Sequence, residues 1–442
     1  VGASGILSEL SNVRREEAAA TLVSGFLFFC VLAALMVVRP AREALGMQRG
    51  IEQVRWLFVG TVVVTLLVNP LFGLLVSRLR RFAFVAATYS FFAGGLAAFY
   101  ALLVLAPESV GVRTGQVFYV WFSVFNLFAT MLFWALMADR FSLEQSKRLF
   151  GVIAVGGTLG ALFGPWLASV LARPLGTPAL LLVAAGLLLV ALAAAAFLVR
   201  LRLPASRGEE GETSDRGPEL ERVPIGGSAW EGFHAVARSP YLLAICGYVL
   251  ILAVIVTFLY FTRLQMVAAL GTGLDARTAT FARIDMITQA ATLLFQAVVA
   301  GHLMKRIGVS ATLALLPVTA ALGFVGLAIA GSLAALVAFE ASFRAVQRGI
   351  MRPARETLFT VVSRADRYKA KAFIDTFVYR TGDVLGAQLE GLLGRLGAGL
   401  AALVSFALPL ALAWMALGLW LGHAQRERAA HAARPRTAAA VS

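Results

Sequence analysis

The feature that most constrains this chain is a repeated one: apolar runs of roughly 18–25 residues, each long enough as a helix to cross about 30 Å of hydrocarbon. Twelve can be placed: 18–39, 55–77, 82–106, 114–137, 149–172 and 178–199, then 240–263, 279–303, 309–329, 332–350, 371–395 and 400–422. Lipid offers no partner to a backbone N–H or C=O, so each run has to satisfy its polar groups internally, as a helix. A chain with 60% hydrophobic and 14% charged residues cannot cover itself with a water-compatible surface. The expected fold class is an all-α polytopic membrane protein.

Between the sixth and seventh runs lies the only long polar stretch, Arg200 to Arg238. Glu209, Glu210, Glu212, Asp215, Arg216, Gly217 and Pro218 within it cannot build a core. The expected organisation is therefore an N-terminal six-helix bundle (1–199), a linker (200–239) and a C-terminal six-helix bundle with a basic tail (240–442).

A net charge of +15 in a soluble protein would point to nucleic acid, but here the charge is distributed by side. The termini and even-numbered loops hold about 28 of the 39 Lys and Arg, and the opposite side about ten. Positive residues stay on the cytoplasmic side, so both termini and the linker are expected there, in a cell inner (plasma) membrane. The segment from Val1 to Glu17 lacks the short apolar core and small-residue cleavage site of a secretory signal, so the first run is expected to be retained as a signal anchor.

Cys30 and Cys246 lie far apart inside apolar runs and read as buried thiols. His234, His302, His423 and His431 show no metal-ligand spacing. Phosphate loops, dinucleotide fingerprints and nucleophile elbows are all missing. No enzyme site, metal, cofactor or nucleic-acid partner is expected. The expected partners are the bilayer and a small-molecule solute, with protons as a coupling ion to be tested.

The two halves share an internal repeat. Gly73-Leu-Leu-Val-Ser-Arg78 after the second run matches Gly301-His-Leu-Met-Lys-Arg306 after the eighth, and Leu159-Gly160-Ala161 matches Leu385-Gly386-Ala387. Two parallel six-helix halves with a solute site near the midplane is the plan of the major facilitator fold. Its loop signature, Gly-x-x-x-Asp-Arg-x-Gly-Arg, is kept at Gly73, Arg78 and Arg81, with Ser77 in the acid's place; the second copy keeps Gly301, Arg306 and Gly308. These residues read either as a gate or as topogenic charges. In the fifth run Gly156, Gly160 and Gly164 share a helix face, followed by Pro165. Helix packing and a resemblance to the fifth-helix motif of proton-coupled drug exporters both fit that pattern.

A charge at membrane depth is costly and generally faces a cavity or a partner. Arg39, Arg42 and Glu43 close the first run around Pro40, and Arg283 and Asp285 open the eighth. Glu340 and Arg344 stand one turn apart on the tenth. Arg380, Asp383 and Glu390 form a stripe on the eleventh, with Asp375, Tyr379 and Gln388 nearby. A guanidinium fork binds carboxylate or phosphate in two-point fashion. Arg39, Arg42, Arg283, Arg344, Tyr379 and Arg380 are therefore candidate solute contacts. Glu43, Asp285, Glu340, Asp375, Asp383 and Glu390 are candidate charge partners or proton-coupling acids.

Three blocks carry a family resemblance: Arg39-Pro-Ala-Arg-Glu-Ala-Leu45; Phe133-Trp-Ala-Leu-Met-Ala-Asp139 with Glu144-Gln-Ser-Lys-Arg-Leu-Phe150; and Pro353-Ala-Arg-Glu356 with Lys369-Ala-Lys-Ala-Phe-Ile-Asp375. The chain resembles the bacterial and plastid ATP/ADP antiporters, a nucleotide-transporter family. The resemblance implies adenine-nucleotide exchange by alternating access. It also implies a site with a lysine in the first span's charged motif, acids in the fourth and seventh spans and a lysine in the eleventh. At the matching positions this chain has Arg42, Phe122 or Ser123, Thr257 and Asp383. The expected function is thus secondary transport of an anionic or amphiphilic organic solute, nucleotide-like by resemblance. The alternatives are proton-coupled drug or lipid efflux and a transport-inactive membrane scaffold.

Overall fold

The computed structural model describes residues 13–78, 81–201, 233–234, 236–396 and 399–433, with side chains described except at 69–78, 81, 143, 299–306, 364–365, 368 and 432–433. Among the described residues there is no strand. Six helices make the first group: α1 (Arg15–Gly46), α2 (Ile51–Arg78), α3 (Arg81–Leu105), α4 (Glu108–Arg140), α5 (Leu143–Leu175) and α6 (Ala179–Arg200). Next come α7 (Pro240–Ala269), α8 (Leu274–Phe295) and α9 (Gly301–Ala330), then α10 (Leu333–Val346) and the short α11 (Arg352–Leu358). The chain ends with α12 (Arg364–Phe373), α13 (Tyr379–Arg395) and α14 (Gly399–Ala433).

The helices overrun the expected spans where local chemistry allows. α1 passes through Pro40 to Gly46 instead of ending at Arg39. Proline removes only the hydrogen bond back to Met36, and the neighbouring turns are clamped from α5, where Gly164 approaches Met36 and Val37. Ser142 starts α5 with a capping box, accepting from the Gln145 N–H while the Gln145 side chain accepts from the Ser142 N–H. The expected loop between residues 303 and 309 contracts to a break at Gly308, whose φ of 73° suits glycine.

Among the described residues, nine stretches are long and apolar enough to span a bilayer. The three remaining passages, through α8, through α10 and α11, and through α12 and α13, carry many of the ionisable residues singled out above. Each also contains one π-helical turn: Gln296–Ala300, Gln347–Met351 and Ile374–Val378. A π turn rotates the following residues relative to a regular helix and recurs at functional sites.

The chain clusters into two compact units, Val1–Thr213 with Leu264–Ala290, and Ser214–Arg263 with Ala291–Ser442. In the first unit α1 is the central helix, packed on α4, α5 and α6, and Val31, Ala34, Val38 and Ala41 are fully buried. The α5 glycines set this packing. A Cβ on Gly156, Gly160 or Gly164 would fall 2.1, 2.2 or 2.7 Å from the carbonyl oxygens of Gly25, Phe29 and Ala33. Both series advance by four residues, so the two helices run parallel with their backbones in contact. The second unit repeats the device: Gly382 abuts Leu250 and Ala253, and Gly386 abuts Val254 and Thr257, joining α13 to α7. Elsewhere in that unit α9 packs on α14 and α10, with Gly323 pressed against the Phe339 ring.

Candidate functional site

In the first unit the candidate residues gather at the end of α1. The Arg42 guanidinium lies over the Tyr119 ring, 3.7 Å from its centroid. Its Nε donates to the Tyr119 carbonyl at 3.2 Å and a terminal nitrogen pairs with Glu43 at 2.9 Å. The other terminal nitrogen lies 3.5 Å from Ser123 Oγ, and the Phe122 ring stands 5.7 Å away. Both α4 residues weighed for the antiporter pattern, Phe122 and Ser123, therefore flank Arg42. One turn earlier on α1, Arg39 Nε reaches Asp285 Oδ2 of α8 at 3.8 Å. Arg283 is exposed and makes no ion pair among the described residues.

In the second unit Glu340 is the hub. It accepts from Arg263 at 3.2 Å and lies 3.8 Å from Arg344 on its own helix. Arg263, absent from the sequence-based candidates, is buried near the C-terminal end of α7. The sequence signal was present, since Arg263 interrupts an apolar run, but at a predicted span end it reads as a topogenic charge. On α13 Arg380 pairs with Asp383 at 3.1 Å. Thr257 stands beside Asp383, and Tyr379 lies in the field of Arg344, Arg352, Arg380 and Asp383. Glu390 is buried on the same helix.

One asymmetry runs through the four pairs Arg39–Asp285, Arg42–Glu43, Arg344–Glu340 and Arg380–Asp383. The carboxylate side chains keep 3–6% of their surface exposed and the arginines 13–39%. The acid is set back and the guanidinium stands forward. A carboxylate behind an arginine offsets the cost of a cation at membrane depth.

The remaining candidates do other work. Asp375 pairs with Arg355 at 3.1 Å, and Lys371 with Glu356 at 2.5 Å. The Pro353–Glu356 and Lys369–Asp375 blocks are thus two sides of one ionic clamp between α11 and the α12 end. Gly160 and Gly164 are consumed by the α1 contact, and Pro165 lies within α5 without ending it. Glu17, missed in the sequence, is buried at the start of α1, where it accepts from Arg148 and Gln145 at 3.0 and 3.1 Å. Gly73, Arg78, Gly301 and Arg306 lie outside the residues whose side chains are described.

The twelve helical passages, glycine-mediated packing repeated in two units and charges paired at membrane depth have a counterpart among known families. The sequence profile of the Major Facilitator Superfamily matches residues 20–343. This chain belongs to the Major Facilitator Superfamily. A search of curated proteins finds no sequence relative. Solved structures share the fold at low identity. A POT family transporter in complex with a thioalcohol-conjugated peptide superposes with a TM-score of 0.61 at 11% identity, over 91% of this chain and 96% of that one. A point mutant of the nucleoside transporter NupG gives 0.57 at 14%, over 93% and 99%. A bacterial homolog of the human lysosomal transporter Spinster, inward-facing and unoccupied, gives 0.55 at 13%, over 95% and 98%. The chain is a multi-pass membrane protein and a facilitator-type secondary transporter of a small-molecule solute.

Proposed function

We propose that this facilitator carries an anionic organic solute by alternating access. The observation that supports the reading is the set-back of the acids: in the pairs Arg39–Asp285, Arg42–Glu43, Arg344–Glu340 and Arg380–Asp383 the arginine is the more exposed member, while Arg263 is as buried as Glu340. A cation carrier would expose the acids. Arg39, Arg42, Arg344 and Arg380 are the proposed solute contacts, with Arg283 as a further exposed cation and Tyr379 as a hydroxyl partner. Glu43, Asp285, Glu340 and Asp383 hold the guanidinium groups in place and receive them back when the solute leaves.

Within anionic solutes, the resemblance to ATP/ADP antiporters favours a nucleotide or another phosphate-bearing molecule. Arginine forks suit phosphate, and the Arg42, Tyr119 and Phe122 cluster adds aromatic faces beside the cation. Asp383, in place of the antiporters' lysine, lowers the positive charge of the site and argues for a substrate with fewer charges than ATP.

We also propose the organisation read from the charges: bundles at 1–199 and 240–442, a linker at 200–239 whose residues 202–232 and 235 lie outside the described ones, and both termini on the cytoplasmic side of a cell inner membrane. Reporter fusions at the linker and the C-terminus test the topology.

The deciding experiment is transport by the purified protein in proteoliposomes with labelled ATP, ADP, AMP, phosphate and a dicarboxylate, with and without a proton gradient. Counter-exchange of a phosphate-bearing solute supports the narrower reading. Transport of the carboxylate alone keeps the anion reading and removes the nucleotide. Gradient-driven extrusion of a cationic dye would replace both with efflux, and the failure of every solute would favour the scaffold.

A further inference from the structure

An apolar groove in the first unit plays no part in the charge clusters above. It has a volume of about 800 Å³ and lies among α2, α3 and α4. Its walls are Leu57 and Val64 of α2, Phe91 of α3, and Val117, Trp121 and Val124 of α4. Phe91 and Val117 are exposed, so in a chain that spans a bilayer the groove opens towards lipid rather than into the protein.

One end of the groove is polar, and in a specific way. Arg49, at the turn before α2, and Arg113, in the second turn of α4, both line it and are both exposed. Neither takes part in an ion pair or hydrogen bond among the described residues. Between them and the apolar wall sits Gln116, whose side-chain nitrogen is buried and has no hydrogen-bond partner. A buried donor without an acceptor is costly, and two neighbouring cations without an acid invite an anion.

The dimensions narrow the occupant. From Arg113 to Val124 the α4 wall descends about 16 Å at 1.5 Å per residue. That is about half of a hydrocarbon core of roughly 30 Å, which is the depth of one leaflet. An occupant with an anionic oxygen group at the surface and an alkyl chain one leaflet deep is a phospholipid.

We propose that this groove is a binding site for one anionic phospholipid of the surrounding bilayer. Its phosphate lies between Arg49 and Arg113 with Gln116 donating to a phosphate or ester oxygen, and an acyl chain lies along Leu57, Val64, Phe91 and Trp121. The site is separate from the proposed solute contacts and does not depend on what the protein carries.

Trp121 provides the probe. The purified full-length protein is reconstituted in vesicles of phosphatidylcholine containing increasing fractions of brominated phosphatidylglycerol or brominated phosphatidylcholine. The Trp121 signal is taken as the difference between wild type and Trp121→Phe. Quenching at a mole fraction of the brominated anionic lipid lower by about thirtyfold is expected, the size of preference that two basic residues at about 1 kcal/mol each supply at a membrane surface. In Arg49→Gln/Arg113→Gln that preference falls to about that of the zwitterionic lipid; both residues are exposed and unpartnered, so folding is preserved, as monodisperse gel filtration verifies. Equal quenching by the two lipids, or a preference unchanged in the double variant, overturns the proposal. So does quenching relieved by a transported solute, which would make the groove part of the transport path.

Discussion

Arg42 and Tyr119 are joined twice, through the guanidinium stacked 3.7 Å from the ring centroid and through the Nε donation to the Tyr119 carbonyl. The double contact fixes the plane of the fork, and Glu43 holds one terminal nitrogen. Arg42→Ala should lower kcat/KM for the transported anion by about tenfold to a hundredfold, the worth of a hydrogen bond to a charged group. Arg42→Lys should recover little, because an ammonium cannot reproduce a planar fork stacked on a ring. Solute uptake into proteoliposomes checks both, with the amount of reconstituted protein as the control. Wild-type uptake by Arg42→Lys would mean that only the charge matters.

Glycine spacing in α5 has a second measurable consequence. Gly160→Ala would place a methyl group 2.2 Å from the Phe29 carbonyl oxygen, backbone that can yield only if α1 and α5 separate. A loss of about 1–3 kcal/mol is expected, as for overpacking in a close-packed interior. Gly186→Ala on α6, with no atom within 4 Å of the added carbon, should be neutral or slightly stabilising. Thermal unfolding in detergent compares the two directly, and a Gly160→Ala variant as stable as Gly186→Ala would contradict the parallel α1–α5 contact.

The Arg355–Asp375 pair ties α11 to the turn that follows α12. Reversing one charge, Arg355→Asp, should destabilise the α11 to α12 clamp, and Arg355→Asp/Asp375→Arg should recover most of the loss. A coupling energy of about 0.5–3 kcal/mol is the range for residues in direct contact. The double-mutant cycle is read from thermal unfolding. Additive effects would mean that the two residues do not interact.

How much of this was legible beforehand depended on whether the information is local. Span length and polarity are local, so the helical passages follow from the sequence. The spacing of Gly156, Gly160 and Gly164 is local too and marks a packing face, although it cannot name α1 as the partner. Ion pairs divide in the same way. Arg380 with Asp383 and Glu340 with Arg344 stand three and four residues apart on one helix and could be read from their spacing, whereas Arg39 with Asp285 and Arg263 with Glu340 join residues hundreds or tens of positions apart. Exposure was the least accessible property: that the acids sit behind the arginines depends on the packing of neighbouring helices. Pro40 misled because an isolated proline usually ends a helix, and here tertiary contact from Gly164 outweighs one lost hydrogen bond.

Glu340 allows stability and function to be separated. It serves Arg263, which is buried beside it, and Arg344, which is more exposed. Glu340→Gln removes the shared carboxylate from a low-dielectric site and should cost about 3–5 kcal/mol, the usual result of breaking one side of a buried pair. Arg263→Leu/Glu340→Leu removes the buried cation together with its acid and should regain most of that stability, because an apolar replacement avoids the desolvation of both groups. Arg344 then keeps its charge but loses the acid that positions it. If Arg344 contacts solute, the double variant should unfold near the wild-type temperature and still transport poorly, with a raised KM. Thermal unfolding and transport kinetics on the same preparation distinguish the outcomes. A double variant that is both stable and fully active would show that transport does not need Glu340 to position Arg344 and leave Glu340 a purely structural residue.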